Sequence, residues 1–587
     1  MKYLKLIIFI IIASIFITCN VKSTKQQNDE NSIIIIKEKF DSQRLDSAIK
    51  QKLHYISQVL PDSCLQSIYS IYSANKFHSF WVDSLTNNIK VDTLLFYLSE
   101  IDKHGISLQQ LGIDTLLNKP SSFDADDIDY SSIANFDIQL SIVYLKYCSG
   151  LQYGFVNELD TMENHNVKLL RSDSLFRVNC FSKVNDSLSY FLKEIQPKSD
   201  VYLSLIKEKN KIKLLVDSVF DSIPLLKDKE TIKFGSKHSI IPLIARRLMM
   251  SGELVFDSAY IKHYVMFDDK LLNGLNIFRE KTGLLLDKEI GYQTITTLNT
   301  PFSYYVDKIN ANLERMRWKY VNPKTGKHIH VNVADMTLEA FHGDSIDLRM
   351  KVCVGRPPRN KTPLLESKIY EIILNPTWTV PNSIILKEIS KIAVVDTNYF
   401  KRLNMKIFRK GDEVQPKTVK WDLLSKTYQP YIIIQDSGSI NALGRIKFNF
   451  SNRFSVYLHD TNSKSAFWRH NRAVSHGCVR VEKPLELAYF CLPKVIEPSN
   501  KKLVEKDNLL RDKIRYTIGL KPKSKIGKDS LRLNNKGMKM ERLRLKSYIP
   551  IFLEYRTCFL NPEGKVQFRN DIYQFDHELI RLLKDIK

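Results

Sequence analysis

The chain has 587 residues, 43% hydrophobic and 26% charged, with a formal net charge of +24. That length allows three or four domains of ordinary size, and that composition belongs to folded globular proteins rather than disordered ones. The lysine excess runs along the whole chain instead of gathering on one segment, which argues against a nucleic-acid partner and for a general basic bias.

The opening "MKYLKLIIFIIIASIFITC" sets Lys2 and Lys5 before an apolar run from Leu6 to Ile17, too short for a stable membrane span. Residues 1–19 therefore read as an export signal. Cys19, directly after that run, resembles the acylated cysteine of bacterial lipoproteins, although Thr18 departs from the small residue usual before it. The expectation is an exported, membrane-anchored protein of the cell envelope or periplasm, tethered by polar residues 20–40. The six cysteines other than Cys19 and Cys478 show no CxxC spacing and read as buried single thiols.

Residues 41–235 carry short apolar stretches separated by Ser, Asp and Asn, as in "LLFYLSEIDKHGIS", and predict a mostly helical scaffold with no evident chemistry. From 236 to 318 the periodicity sharpens. Ile241, Ile244, Ala245 and Leu248 share a helical face that Gly252 ends; Leu271, Leu275 and Phe278 mark a second helix ended by Gly283. A third follows Gly291 with Ile295 and Leu298, and Val306, Ile309, Leu313 and Met316 line a longer one. The short helices resemble the peptidoglycan-binding module found beside many cell-wall enzymes; a purely structural bundle is the alternative.

Beyond Trp318 the rhythm becomes strand-like. "KHIHVNVADMTLEAF", "IDLRMKVCVG" and "KIYEIILNPTW" are rich in β-branched and aromatic residues, with Pro363, Pro376 and Pro381 at strand ends. Residues 319–587 are thus expected as a β-rich domain, with 521–546 as a basic surface insert. The fold class is multidomain α+β.

Within that domain "AVSHGCVRVE" crowds Ser475, His476, Gly477, Cys478 and Arg480 into six positions. A thiol attacks an acyl carbon as thiolate and needs a base beside it. His459, at the end of "RFSVYLH", can approach from another strand; His476 lies two residues away on the same side of an extended segment. Gly477 lets backbone N–H groups approach a substrate carbonyl, as an oxyanion hole requires. Arg480 offers a bidentate fork for a carboxylate, with a salt bridge to Glu482 as the plainer role. Two other readings stand beside catalysis: a zinc site built from His459, His470, His476 and Cys478, whose spacing fits no common zinc arrangement, and an inert core cysteine.

The segment "HDTNSKSAFWRHNRAVSHGCVR", running from His459, resembles the signature of L,D-transpeptidase (YkuD-like) catalytic domains. "VGRPPRNKTPLLESKIYEIILNPTWTVP", "INALGRIKF" and "VEKPLELA" are similar to the larger YcbB-like subgroup, which joins scaffold and peptidoglycan-binding modules to the catalytic domain. Ser437 departs from the proline usual in "QDSGSINALG". The resemblance implies an acyltransferase on peptidoglycan. Cys478 attacks a tetrapeptide stem, D-alanine leaves, and a diamino-acid amine of a neighbouring stem resolves the thioester into a 3→3 cross-link. His459 would be general acid and base. His476 would orient the site and support the oxyanion hole with the amides of Gly477 and Cys478, and Ser475 would hydrogen-bond behind them. Arg480, Trp378 and Asn441 would meet substrate. No cofactor or metal is implied, and β-lactams of the carbapenem class are expected inhibitors. With water as acceptor the same chemistry gives an L,D-carboxypeptidase or cross-link hydrolase; without chemistry the chain is a wall-binding scaffold.

Overall fold

The computed structural model describes the chain except residues 1–39, 60–62, 85–87, 114–127, 157–164, 219, 228–229, 320–324, 494–498, 532–538 and 587. The expected signal, Cys19 and nearly all of the tether therefore lie outside the described residues. Among the described residues no helix is long and apolar enough to cross a membrane.

Helices fill the first third, as the interrupted apolar pattern predicts. The longest, Tyr130–Tyr153, is capped by Asp129, whose carboxylate accepts from the N–H groups of Ser131 and Ser132. It is buried along most of its length and packs against Ser42–Val59, Ser63–Ala74 and Ser174–Asp186. Near its start Asp137, fully buried, accepts hydrogen bonds from Tyr72, Ser79 and the amides of Trp81 and Val82, which makes its burial tolerable. The extended pairs β1 (His165–Asn166), β2 (Ile232–Lys233) and β3 (Glu289–Ile290) are minor.

The helices Ile241–Ser251, Asp269–Thr282 and Tyr292–Leu298 match the expected short helices, with left-handed Gly252 and Gly283 at the first two ends. They share a separate apolar core with Ile223, Phe267 and Ile290. The longer helix Phe302–Arg317 leaves that group and buries Ile309 and Leu313 against Tyr202 and Leu205. It joins the two halves of the molecule. Arg317 pairs with Glu314 and donates to the His104 carbonyl on the scaffold side, while Lys308 and Arg315 pair with Asp576 on the other.

The β-rich domain is built on β4 (Lys327–Asn332), β5 (Thr337–His342), β6 (Ser345–Gly355), β7 (Leu364–Leu374), β12 (Ile446–Phe450), β13 (Leu458–His459), β15 (Val479–Val481) and β16 (Glu541–Glu554). They pair in the order β7-β12-β13-β15-β6-β5-β4-β16, and β16 returns to pair with β7, closing a barrel. Closure leaves no open edge in this sheet. Residues 521–546, expected as a loop, instead hold the helix Lys525–Leu531 and the start of β16, whose Glu541–Arg544 pair with Leu374–Glu371. Basic side chains there alternate with apolar ones such as Leu543 and Leu545, and the strand period was hidden by the charge.

Between β7 and β12 the chain makes a lobe that the sequence did not announce. Strands β8 (Trp378–Thr379), β9 (Met405–Arg409), β10 (Asp412–Val414) and β11 (Tyr431–Gln435) pair in the order β10-β9-β11-β8. Helical residues 382–402, including a π turn at Ile385–Ile389, pack Ile385, Ile389 and Phe400 onto Trp421 and Ile433.

Candidate active site

The motif is a crossing between two short strands. β14 (Ala473–Ser475) runs parallel to the end of β6, and β15 returns into the barrel beside β13, pairing His459 with Arg480 and Leu458 with Val479. Cys478 sits in the turn between them, and the register sets His459, on the neighbouring strand, opposite Arg480. The turn needs its glycine: Gly477 has φ +117°, where a side chain is strained even though a Cβ would meet nothing nearer than 3.9 Å.

Several groups fix that turn. Ser475 Oγ donates to the Cys478 carbonyl (2.5 Å) and accepts from the Gly477 N–H (3.1 Å). Ser475 thus stands behind the thiol rather than in front of it. The Gly477 amide is therefore occupied, which corrects its expected place as an oxyanion donor; the glycine serves the turn through its conformation. Thr362, fully buried, donates to the Gly477 carbonyl (2.8 Å) and accepts from the Gly355 N–H (2.9 Å). Gly355 has to be glycine for another reason, since a Cβ there would fall 1.7 Å from the Asn360 carbonyl oxygen. Neither Thr362 nor Gly355 was singled out in the sequence, because nothing local marks a contact 115 residues away.

Cys478 and His459 line one cleft of about 550 Å³, with Trp378, Glu388, Leu443, Lys447, Tyr457, Ser475, His476, Arg480 and Arg542 among its walls. His459 is buried and its Nδ1 donates to the Asp460 carbonyl (2.5 Å), which fixes the tautomer and leaves Nε2 as the basic nitrogen. Asp460 is held in turn by Lys464 and by the Arg445 N–H (2.8 Å). Burial, then the Arg480 charge, pushes the His459 pKa down to about 3. Burial also pushes the Cys478 thiol up, opposed by hydrogen bonds from Tyr457 and by the charges of Lys447 and Arg480. Thiol and imidazole are thus both neutral at rest. Tyr457, whose ring meets His459 edge-on at 5.6 Å and whose carbonyl accepts from the Val479 N–H (3.2 Å), was not read from the sequence; its place two residues before His459 was the available signal.

The remaining expected residues separate. Arg480 lines the cleft. No Arg480–Glu482 ion pair forms; Glu482 accepts instead from the Lys351 N–H (3.1 Å), and Arg480 Nε is buried without a partner. Trp378, on β8, reaches the cleft. His476 reaches the lobe, its Nε2 2.5 Å from Glu388 Oε1, so its ring latches motif to lobe. Asn441 is corrected: it is fully buried, its amide donating to the Asp436 carbonyl (2.9 Å) and its oxygen accepting from the Leu443 N–H (2.8 Å). It shapes the loop before β12 and cannot meet substrate. Ser437, in place of the usual proline, donates to the Asn375 carbonyl (2.6 Å) and so tethers that loop by other means. His470 lines a different, larger cleft, and among the described residues no three His, Cys, Asp or Glu gather as metal ligands.

Comparison with known proteins bears on this geometry. Residues 326–498 match the family model described as the L,D-transpeptidase catalytic domain (YkuD), and residues 66–208 match a Scaffold domain. A Haemophilus influenzae protein named "Putative L,D-transpeptidase" is 29% identical over 278 residues, 47% of this chain and 50% of that one. The chain thus spans about half the length of this curated relative. The crystal structure of an L,D-transpeptidase from Xylanimonas cellulosilytica aligns at 11% identity, covering 56% of this chain and 100% of that one, with a TM-score of 0.15 that carries no weight. The matched catalytic region contains His459, Cys478 and every barrel strand but β16. Residues 326–498 are thus similar to the catalytic domain of YkuD-type L,D-transpeptidases, with a region similar to a Scaffold domain ahead of them.

Proposed function

We propose that the protein is a peptidoglycan L,D-transpeptidase that forms 3→3 cross-links through a thioester on Cys478. The observation that carries this reading is Cys478 and His459 on adjoining segments of one cleft, with the histidine tautomer fixed by the Asp460 carbonyl. His459 Nε2 takes the thiol proton as Sγ bonds to the carbonyl carbon of the third stem residue. The resulting oxyanion is met by the Cys478 amide, since the Gly477 amide is engaged by Ser475. The C–N bond to terminal D-alanine breaks, and His459 returns the proton to the departing amine. A diamino-acid amine from a second stem then attacks the thioester, its proton passes through His459 to the sulfur, and the thiol is restored. Arg480, with Nε unpartnered in the cleft wall, suits a stem carboxylate.

The reading includes export and lipid attachment through Cys19, and acylation of Cys478 by carbapenems. Incubating the protein with disaccharide-tetrapeptide, beside Cys478→Ala, tests it by mass spectrometry. The expected product is a dimer lighter than two monomers by one alanine, absent in the variant. Tripeptide without dimer would make the protein a carboxypeptidase, and no Cys478-dependent change would leave a wall-binding scaffold.

A further inference from the structure

The cleft contains a cation to which the mechanism above assigns nothing. Lys447 lies in the middle of β12, in direct antiparallel register with His459 on β13. Its ammonium does not pair with the acid nearest in the sheet. Glu371, on β7, is committed to Arg542 (3.2 Å) and to the Asn449 side-chain amide (2.8 Å). Instead the Lys447 Nζ sits 3.8 Å from the centre of the Tyr457 ring, a close cation–π contact. Tyr457 lines the same cleft as Cys478, and its carbonyl accepts from the N–H of Val479, the residue after the cysteine (3.2 Å). Lysine, phenol and thiol therefore share one cleft.

We propose that Lys447 is a positioning residue for the reaction at Cys478: seated on the Tyr457 face, its ammonium holds the phenol beside the sulfur, where the hydroxyl donates to the thiolate as it develops. The proposal rests on Cys478 being the nucleophile. A half-buried ammonium away from any carboxylate loses hydration, and Lys447 is accordingly shifted downward by burial, the Cys478 sulfur acting against that shift. A methionine or leucine would fill the same space on the ring without that cost. A cation over an aromatic face withdraws electron density, which makes the phenol O–H a better donor to a nearby anion. The other charged or titratable groups around it are accounted for. Arg480 from β15 adds a second positive charge beside the thiol, Arg542 from β16 is tied to Glu371, His459 from β13 is neutral, and Glu388 from the lobe is bonded to His476. Of these groups Lys447 is the one that reaches the thiol through Tyr457.

The test is the pH dependence of Cys478 alkylation by iodoacetamide in the full chain, with modified peptides quantified by mass spectrometry. Lys447→Met is expected to raise the midpoint by about one pH unit, or about tenfold slower alkylation near neutral pH. Lys447→Arg, which keeps the cation over the ring, is expected to restore the wild-type profile. In a Tyr457→Phe background, Lys447→Met is expected to have a smaller effect than in the wild type, because only the direct charge of Lys447 on the sulfur is then left to remove. A Lys447→Met profile that overlays the wild type overturns the proposal, as does an undiminished effect of Lys447→Met in Tyr457→Phe. Dimer formation from disaccharide-tetrapeptide that survives Cys478→Ala would instead remove the nucleophile reading beneath it. The two failures are thereby told apart.

Discussion

Replacing Thr362 by valine removes one hydroxyl and almost no volume, yet that hydroxyl serves two backbone groups. It donates to the Gly477 carbonyl at 2.8 Å and accepts from the Gly355 N–H at 2.9 Å, with Thr362 itself at 0% exposure. Each group left buried and unpaired costs about 1–3 kcal/mol. With some relaxation the pair should cost about 3 kcal/mol. The same contact sets the carbonyl of the residue at φ +117°, so loss of stability should come with loss of rate, about 10- to 100-fold in kcat for a small displacement of the thiol. Urea unfolding followed by tryptophan fluorescence reads the first, and the rate of dimer formation by folded enzyme reads the second. Thr362→Ser keeps the hydroxyl and should recover most of both. A valine variant with an unchanged urea midpoint and an unchanged rate would refute the account of the turn.

The buried histidines give an acid dependence of definite sign. His104 and His459 are both held near 3 chiefly by burial, against an ordinary 6.5, so unfolding takes up protons that the native rings refuse. Their contribution is complete above about pH 6.5 and is lost as pH falls toward 3, at up to about 1.4 kcal/mol per unit for each ring. Urea midpoints across that range should show this slope, and His104→Gln should shallow it; an unaltered slope would place the titration elsewhere. Asp576→Asn strips a buried carboxylate from both Lys308 and Arg315 and should cost about 3–5 kcal/mol, read as a lower thermal midpoint. An unchanged midpoint would show that the helix Phe302–Arg317 does not depend on that triad.

What the sequence disclosed was whatever repeats locally or is rare. Strand alternation around β4 to β7 and glycine stops at Gly252 and Gly283 are properties of short windows, and the crowding of Ser475 to Arg480 is improbable enough to notice. The lobe escaped because "NSIILKEISKIAVV" is apolar on more than one face and passes through a π turn, so neither helical nor strand period stands out. Asn441 misled for a related reason. A polar residue in a motif-rich stretch looks available, but its amide and carbonyl are used by the loop's own backbone. Thr362, Tyr457 and Lys447 were missed because their value depends on what stands opposite them, across the barrel or across a strand pair.

In the proposed mechanism those cross-strand partners also decide when the proton moves. A free ion pair at rest would need imidazolium beside two cations, and Arg480 and Lys447 both oppose that state. The same two charges favour negative sulfur. Burial disfavours charge on either group, so neither the thiolate nor the imidazolium accumulates alone before substrate arrives. The favourable moment for transfer is the attack itself, when charge leaving the sulfur is taken up at the oxyanion and a substrate carboxylate neutralises Arg480, relieving the histidine. On this reasoning the resting enzyme should be slow toward small alkylating agents and fast toward an acyl donor that carries a carboxylate. Selectivity would then come from the electrostatics of the cleft rather than from a standing thiolate.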